Sequence, residues 1–360
     1  MSDPVNAEKL RALRSRWDSS GMLDLAMSLA RHMKDAWNRA GALEGVFEDQ
    51  ARDIDRVVVC GMGGSAIGAD LAAGLAAGLV DVSIDVVRGY DVPAPLSRRA
   101  LGIVSSYSGN TAETLSAFES LREGGAAVVA VTSGGELERR CSSLGIPCCL
   151  IPGGMPPRAA IAYSLIPILR ILDFVGVLEF TLEDFERAHA RVESLCRKYS
   201  LEEGGGEAVL LASRLQGKFP FIYACDGMVG AVARRWSCQF NENSKVLAHY
   251  ALFPELCHNE IMGWEGSPGL RDDVSVIALE DEEDHPSVVK QMKITLDLIS
   301  AEGADVTVFC SEGRGRLERL LSLLLLGDFA SIYLALMNEV DPTPVEKIAE
   351  LKRRMAEENR

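Results

Sequence analysis

A chain of 360 residues, 48% hydrophobic and 25% charged, has the length for two domains and the composition of a globular protein with a sizeable core. Its formal net charge of -15 and pI near 4.9 exclude a nucleic-acid binder built on broad basic patches. An anionic ligand would have to be met by local N–H groups and a few chosen cations.

From about Asn6 to Ala42 the pattern is amphipathic and helical, broken at Ser19–Gly21, and the first residues lack the apolar run of a signal peptide. At "RVVVCGMGGSAIGADLAAGLAAG" (56–78) a β-branched run meets glycines and continues as an Ala/Leu-rich helix. "DVSIDVVRG" (81–89) reads as a second strand, and "LGIVSSYSGNTAETLSAFESLREGG" (101–125) as strand, turn and helix. "AAVVAVTSGGELERRCSSLG" (126–145) repeats that pattern, and "IPCCLIPGG" (146–154) adds a strand. Strands alternating with helices at this spacing predict right-handed βαβ crossovers and a doubly wound parallel sheet with helices on both faces.

"PPRAAIAYSLIPILRILDFVGV" (156–177) predicts a long apolar helix with proline in its first turn. The charged helical stretch from Thr181 to about Glu203 reads as a connector, and "EEGGG" (202–206) as a boundary. A second α/β unit follows, with strands at Phe219–Cys225, Asp273–Glu280 and Ala304–Cys310. "LLSLLLLGDFASIYLALM" (320–337) is the most apolar stretch, but Asp328 and the flanking charges mark it as a buried core helix, so no membrane span is expected. A charged helix from Pro344 closes the chain. The organisation expected is helices over 1–45, a first α/β domain over 46–180, a helical connector over 181–206, a second α/β domain over 207–340, and a helix over 341–360 folding toward the site. Nine cysteines with no CxxC pair, two of them adjacent at Cys148 and Cys149, predict reduced thiols and no structural zinc site.

"GMGGSAIG" (61–68) follows a strand and opens a helix, where free N–H groups and the helix dipole favour an anion. Gly61, Gly63 and Ala66 satisfy G-x-G-x-x-A, so an NADP-binding turn is one reading, although Asp85 lies inside the second strand instead of ending it. The other reading joins Ser65 to the hydroxyl-rich turn at Ser106, Ser108 and Thr111. Both turns end parallel strands, and hydroxyls can donate to phosphate oxygens, which suits a sugar phosphate. Plain helix capping by Ser and Thr is the bland alternative.

"GMGGSAIG" with "SSYSGNTAETL" resembles the sugar isomerase (SIS) domain. The order of motifs through "PPRAAIAYSLIPIL", "NENSK", "PELCHNEIMGW" and "DPTPVEKIAELKRRM" resembles the bifunctional phosphoglucose/phosphomannose isomerases, from about Val57 onward. The resemblance implies two SIS-like domains and a cytoplasmic homodimer of carbohydrate metabolism (glycolysis and gluconeogenesis). It also implies substrate contacts at Gly63, Gly64, Ser65, Ser106, Ser108 and Thr111. The second half has no second "GGS" or "SYSGNT", so only one phosphate site is expected.

Moving a proton between adjacent carbons of an open-chain sugar phosphate calls for a carboxylate, a cation near the developing oxyanion, and an acid–base group to open the ring. "RRWSCQFNENSKVLAHYALFPELCHNEIMGWEG" (234–266) gathers such groups. The resemblance assigns Glu242 as the proton-transfer base and Arg158 to the enediolate. It assigns His258 to ring opening, reaching the site from the neighbouring subunit. On residue type alone each has a bland alternative: a solvated helix-end carboxylate, a surface arginine, a loop histidine. His249 competes with His258, but its "LAHYAL" setting reads as helix packing. The resemblance also asks for a functional lysine near the C-terminus, at Lys352 or Lys347, with "ELK" favouring Lys352. No metal or cofactor is called for, and no nucleic-acid or membrane partner. Room around C2, near Glu242 and the turn at Thr343, would decide glucose against mannose. The rival functions are a non-catalytic phosphosugar sensor and an NADP-dependent oxidoreductase.

Overall fold

In the computed structural model, which describes residues 7–47, 54–93, 96–266 and 268–358, three helices come first: α1 (Ala7–Trp17), α2 (Met22–Met27) and α3 (Leu29–Ala40). Asn6, where the helical pattern begins, lies outside the described residues. α2 starts because the buried Asp18 carboxylate accepts the N–H groups of Met22 (2.6 Å) and Leu23 (3.0 Å), donors that a helix start otherwise leaves unpaired. α3 buries Leu29, Ala30, Met33, Ala36 and Ala40, an apolar stripe at helical spacing.

The first α/β unit then runs β1 (Arg56–Cys60), α4 (Gly64–Ala76), β2 (Ser83–Val87), β3 (Ala100–Ser106), α5 (Ala112–Glu123), β4 (Ala127–Thr132), α6 (Gly135–Leu144) and β5 (Cys148–Leu150). Its strands pair in parallel in the order β2-β1-β3-β4-β5. β1, β3 and β4 are almost wholly buried, which their unbroken apolar, β-branched runs require of a sheet covered on both faces.

α7 (Ile161–Phe174) leads into α8 (Leu182–Lys198) and α9 (Gly206–Leu215). The two prolines at 156 and 157 lie before α7, not in its first turn. Pro157 opens a separate 3₁₀ turn, Pro157–Ala159, and the α-helix begins only at Ile161. α8 starts on a capping box in which Thr181 and Asp184 exchange side-chain and backbone hydrogen bonds of 3.1 and 3.2 Å, and it packs against α3.

The second unit comprises β6 (Phe219–Cys225), α10 (Met228–Gln239), β7 (His249–Phe253), α11 (Gly263–Gly266), β8 (Val274–Glu280), α12 (Pro286–Ala301), β9 (Asp305–Cys310), α13 (Arg316–Met337) and α14 (Glu346–Glu358). Its sheet is parallel in the order β7-β6-β8-β9. The fold is therefore α/β with two doubly wound parallel sheets. β7 corrects the reading of "LAHYAL" as helical. Tyr250 and Phe253 favour a strand, Ala251 and Leu252 favour a helix, and pairing with β6 decides the conformation.

α13 is long and apolar enough to cross a membrane, yet every residue of its most apolar window is buried inside the protein. It packs against α1, α8, α9 and α10, while α4 of the first unit packs against α10 of the second. Each fully buried leucine of α13 contributes about 1.5–3 kcal/mol relative to exposure. Asp328 on this helix is only 7% exposed and is paired with Arg235 of α10.

Candidate active site

The strand order β2-β1-β3 makes the gap between β1 and β3 a topological switch point, and crevices of this kind hold ligands at the carboxyl ends of the strands. Two hydroxyl-bearing turns meet there. Ser65, in the first turn of α4, accepts the backbone N–H of Tyr107 at 3.3 Å, which joins the turn after β1 to the turn after β3. Ser106 Oγ donates to Thr111 Oγ1 at 3.3 Å, and Ser108 Oγ accepts the Asn110 N–H at 3.3 Å. The turn is braced from behind, since Ser133 Oγ donates to the Tyr107 carbonyl at 2.6 Å and Asn110 Oδ1 accepts the Glu136 N–H at 3.0 Å. Gly109 has φ 67°, and a Cβ there would sit 1.8 Å from the Gly134 carbonyl oxygen, so only glycine fits the bend.

Thr111 precedes α5 as its N-cap residue, but its side chain makes no capping hydrogen bond. The same holds for Gly63 before α4, which has no side chain to offer. The first N–H groups of both helices are thus left without side-chain caps beside Ser65, Ser106, Ser108 and Thr111, a donor-rich cradle with the dipole sign that favours an anion. Asp85 sits in mid-strand opposite Val58 and pairs with Arg56 at 2.7 Å, so it does not occupy the strand-end position of a ribose-binding acid.

Arg158 enters from the 3₁₀ turn before α7. That turn lies against Gly64, the first residue of α4, where a Cβ would approach the Pro157 carbonyl oxygen to 2.7 Å. The close approach sets Arg158 next to the cradle. The arginine is 4% exposed and every nitrogen of its guanidinium is engaged. Nε donates to Asn243 Oδ1 (2.6 Å), Nη2 to the carbonyls of Pro342 (2.6 Å) and Thr343 (2.8 Å), and Nη1 reaches Glu242 Oε2 at 3.4 Å. Burial pulls its pKa down from the usual arginine value, with Glu242 opposing. An arginine just before a helix faces the positive end of its dipole, and the carboxylate that offsets this is Glu242.

Glu242 lies on a π-turn, Phe240–Ser244, that continues α10. The wider turn is pinned from below: Asn243 Nδ2 donates to Ser331 Oγ (2.9 Å) and Ser244 Oγ to the Ser331 carbonyl (2.6 Å), both on α13. Glu242 itself remains partly open to solvent, with 32% of its side chain exposed. Lys245 ends the turn and donates from Nζ to the Glu242 carbonyl at 2.6 Å. Burial, then the nearby Arg158, lower its pKa.

The structure thus brings Arg158 to Glu242 and joins Ser65 to the turn of Ser106, Ser108 and Thr111. His258 ends a 3₁₀ turn, Glu255–His258, after β7, is exposed, and makes no hydrogen bond or ion pair with the described residues. His249, on β7, pairs with Glu260 at 3.1 Å. Lys352 and Lys347 lie on the exposed α14 and likewise bond to none of the described residues, whereas the segment before that helix, Asp341–Thr343, does meet Arg158. Sequence reading missed Asn243, Lys245 and the buried Arg235–Asp328 pair, although the first two stand inside the quoted phrase "NENSK". A cavity of about 220 Å³ between α4, α7, α8 and α13 is lined by Leu75, Leu169, Phe180 and Arg187 and by none of these site residues.

Comparison with known proteins bears on family and fold. Residues 205–355 match the bacterial phospho-glucose isomerase C-terminal SIS domain. A bifunctional phosphoglucose/phosphomannose isomerase from Caldicellulosiruptor bescii is 40% identical over 86% of this chain and 91% of the relative. The Aquifex aeolicus protein of the same name is 35% identical over 85% and 93%. Among solved structures, the C-terminal domain of glucosamine-fructose-6-phosphate aminotransferase from Francisella tularensis superposes with a TM-score of 0.69 at 12% identity, covering 90% of this chain and 98% of that one, a likeness of fold.

Proposed function

The chain belongs to the bifunctional phosphoglucose/phosphomannose isomerase family, and on that premise we propose that it interconverts glucose 6-phosphate and mannose 6-phosphate with fructose 6-phosphate through a cis-enediolate. The substrate phosphate binds the cradle of Ser65, Ser106, Ser108 and Thr111, with the Gly63 and Gly64 backbone beside it. Glu242 removes the C1 proton of the open-chain ketose and returns it to C2. The electron pair released from the C1–H bond forms the C1–C2 double bond, and the negative charge moves to the oxygen on C2. As the C1 hydroxyl passes its proton to that oxygen, the C1 carbonyl forms and the double-bond electrons take the proton back at C2. Arg158 stabilises the enediolate charge, which a desolvated guanidinium held in place by its hydrogen bonds does more effectively than a solvated one. His258, contributed by the second subunit of a cytoplasmic homodimer, assists ring opening with Lys352.

The observation that carries this reading is the 3.4 Å approach of the buried Arg158 to Glu242, next to two uncapped helix starts rich in hydroxyls. A carboxylate, a fixed cation and an anion cradle are what an aldose–ketose proton transfer needs. The test is a metal-free assay of the purified protein with fructose 6-phosphate, measuring glucose 6-phosphate and mannose 6-phosphate separately, beside Glu242→Gln. The proposal expects both products from the wild type and a loss of about 10²–10⁴-fold in kcat for the variant. A wild type that binds the sugar phosphate and forms neither product makes the protein a sensor and ends the enzymatic reading.

A further inference from the structure

The turn carrying Glu242 ends in a residue of unexpected type. Lys245 has φ 56° and ψ 32°, the left-handed region where glycine is the unstrained choice. Among the described residues one other non-glycine residue, Glu339, has positive φ, at 55°. The two positions flank one contact. Glu339 leads from α13 into the Asp341–Thr343 turn, and Lys245 closes the Glu242 turn. Lys245 Nζ joins them, donating to the Glu242 carbonyl at 2.6 Å and reaching the Pro342 carbonyl at 3.4 Å.

The Pro342 carbonyl is also taken by Arg158, at 2.6 Å. Two cations therefore grip one turn, and each also holds Glu242: Arg158 by the carboxylate, Lys245 by the backbone carbonyl of the same residue. Placing the cations together has an electrostatic cost. Burial and Arg158 both disfavour the charged lysine, against the pull of Asp341, Glu242 and Glu346. A glycine would relieve the backbone, so what the side chain at 245 adds is its pair of hydrogen bonds, to the Glu242 and Pro342 carbonyls.

We propose that Lys245 is a positioning residue that locks the Glu242 turn against the Asp341–Thr343 turn and so sets the Glu242 carboxylate at its distance from Arg158. The inference rests on Glu242 being the proton-transfer base. With the Lys245 side chain removed, the π-turn keeps its anchors on Ser331 through Asn243 and Ser244 but loses its direct tie to the neighbouring turn, leaving only the link through Arg158. A carboxylate free to drift by an ångström loses about 10²-fold in rate while the phosphate cradle still binds substrate.

The experiment compares Lys245→Gly, Lys245→Met, Lys245→Arg, Glu242→Gln and the Glu242→Gln/Lys245→Gly double variant, as purified full-length protein. Melting temperature, and kcat and KM for fructose 6-phosphate, are measured for each. Lys245→Gly should melt no lower than the wild type yet lose ten- to a hundredfold in kcat, with KM within about threefold. Lys245→Arg should recover most of that loss and Lys245→Met none of it. Adding Lys245→Gly to Glu242→Gln should change kcat no further, because the lysine acts through the carboxylate. If Lys245→Gly folds poorly, Lys245→Met takes its place in the comparison. An inactive Glu242→Gln beside fully active Lys245→Gly and Lys245→Met overturns this proposal alone. An active Glu242→Gln overturns the assignment of the base, and with it the role given to Lys245.

Discussion

Arg235→Met removes the cation beneath the site, and its effect can be worked out from the contacts. Arg235 is 2% exposed, and it donates to both oxygens of Asp328, at 2.9 and 2.6 Å. Gln239 adds one bond to the same carboxylate at 2.9 Å. Breaking a buried pair from one side costs about 3–5 kcal/mol, because the partner charge is left uncompensated. Burial already pushes the Asp328 carboxyl up against the pull of Arg235. Once the arginine is gone, the carboxyl can take up a proton, which places the cost near the low end, about 3 kcal/mol.

With about 2.1 cal/mol/K of unfolding entropy per residue, a chain of this length gives roughly 0.75 kcal/mol/K, so the melting temperature should fall by about 4 °C. Arg235→Met/Asp328→Leu leaves neither charge behind and should melt within about 2 °C of the wild type. It should still isomerise more slowly, because Arg235 Nη2 also donates to the Arg158 carbonyl at 3.0 Å and helps hold that turn. Calorimetry and initial rates on the singles and the double are the assay. A double variant that melts lower by the sum of the two singles, or that isomerises at the wild-type rate, would refute the reasoning.

Two further outcomes follow from the geometry. Gly64→Ala puts a methyl group 2.7 Å from the Pro157 carbonyl oxygen and 3.0 Å from its carbon, backbone atoms that cannot rotate aside. The Arg158 turn must shift, and kcat should fall about 10–100-fold with the circular dichroism spectrum unchanged; an unaltered kcat would count against this path from cradle to guanidinium. Glu119 of α5 accepts hydrogen bonds from Arg122, and from Arg140 of α6, and these hold its carboxyl below the usual range. That stabilisation is present above the unfolded carboxylate pKa and is lost as pH falls through the folded one. Glu119→Gln should therefore lower the melting temperature slightly at pH 7 and converge on the wild type in acid, since exposed pairs contribute about 0.2–1 kcal/mol each. A difference that widens in acid would contradict the sign.

Strand runs such as "RVVVC" and "LGIVSS" were legible because both faces of a covered parallel sheet demand unbroken apolar residues, and the turns after them because glycine and hydroxyls have few other reasons to cluster there. β7 was not legible, since "HYALF" mixes strand-favouring Tyr and Phe with helix-favouring Ala and Leu, and its conformation comes from pairing with β6. In the same way, the sequence alone marked a hydroxyl-rich strand-to-helix turn at Ser106, Ser108 and Thr111, because those residues lie within a few positions of one another, whereas Ser65 joins that turn only through the fold. Only the tertiary structure decided that Arg158 meets a carboxylate 84 residues away, and that Lys245 holds a turn 97 residues away. Contacts of that span leave no local period or spacing in the chain. They exist because α4, α7, α10 and α13 pack together and carry their ends to one place.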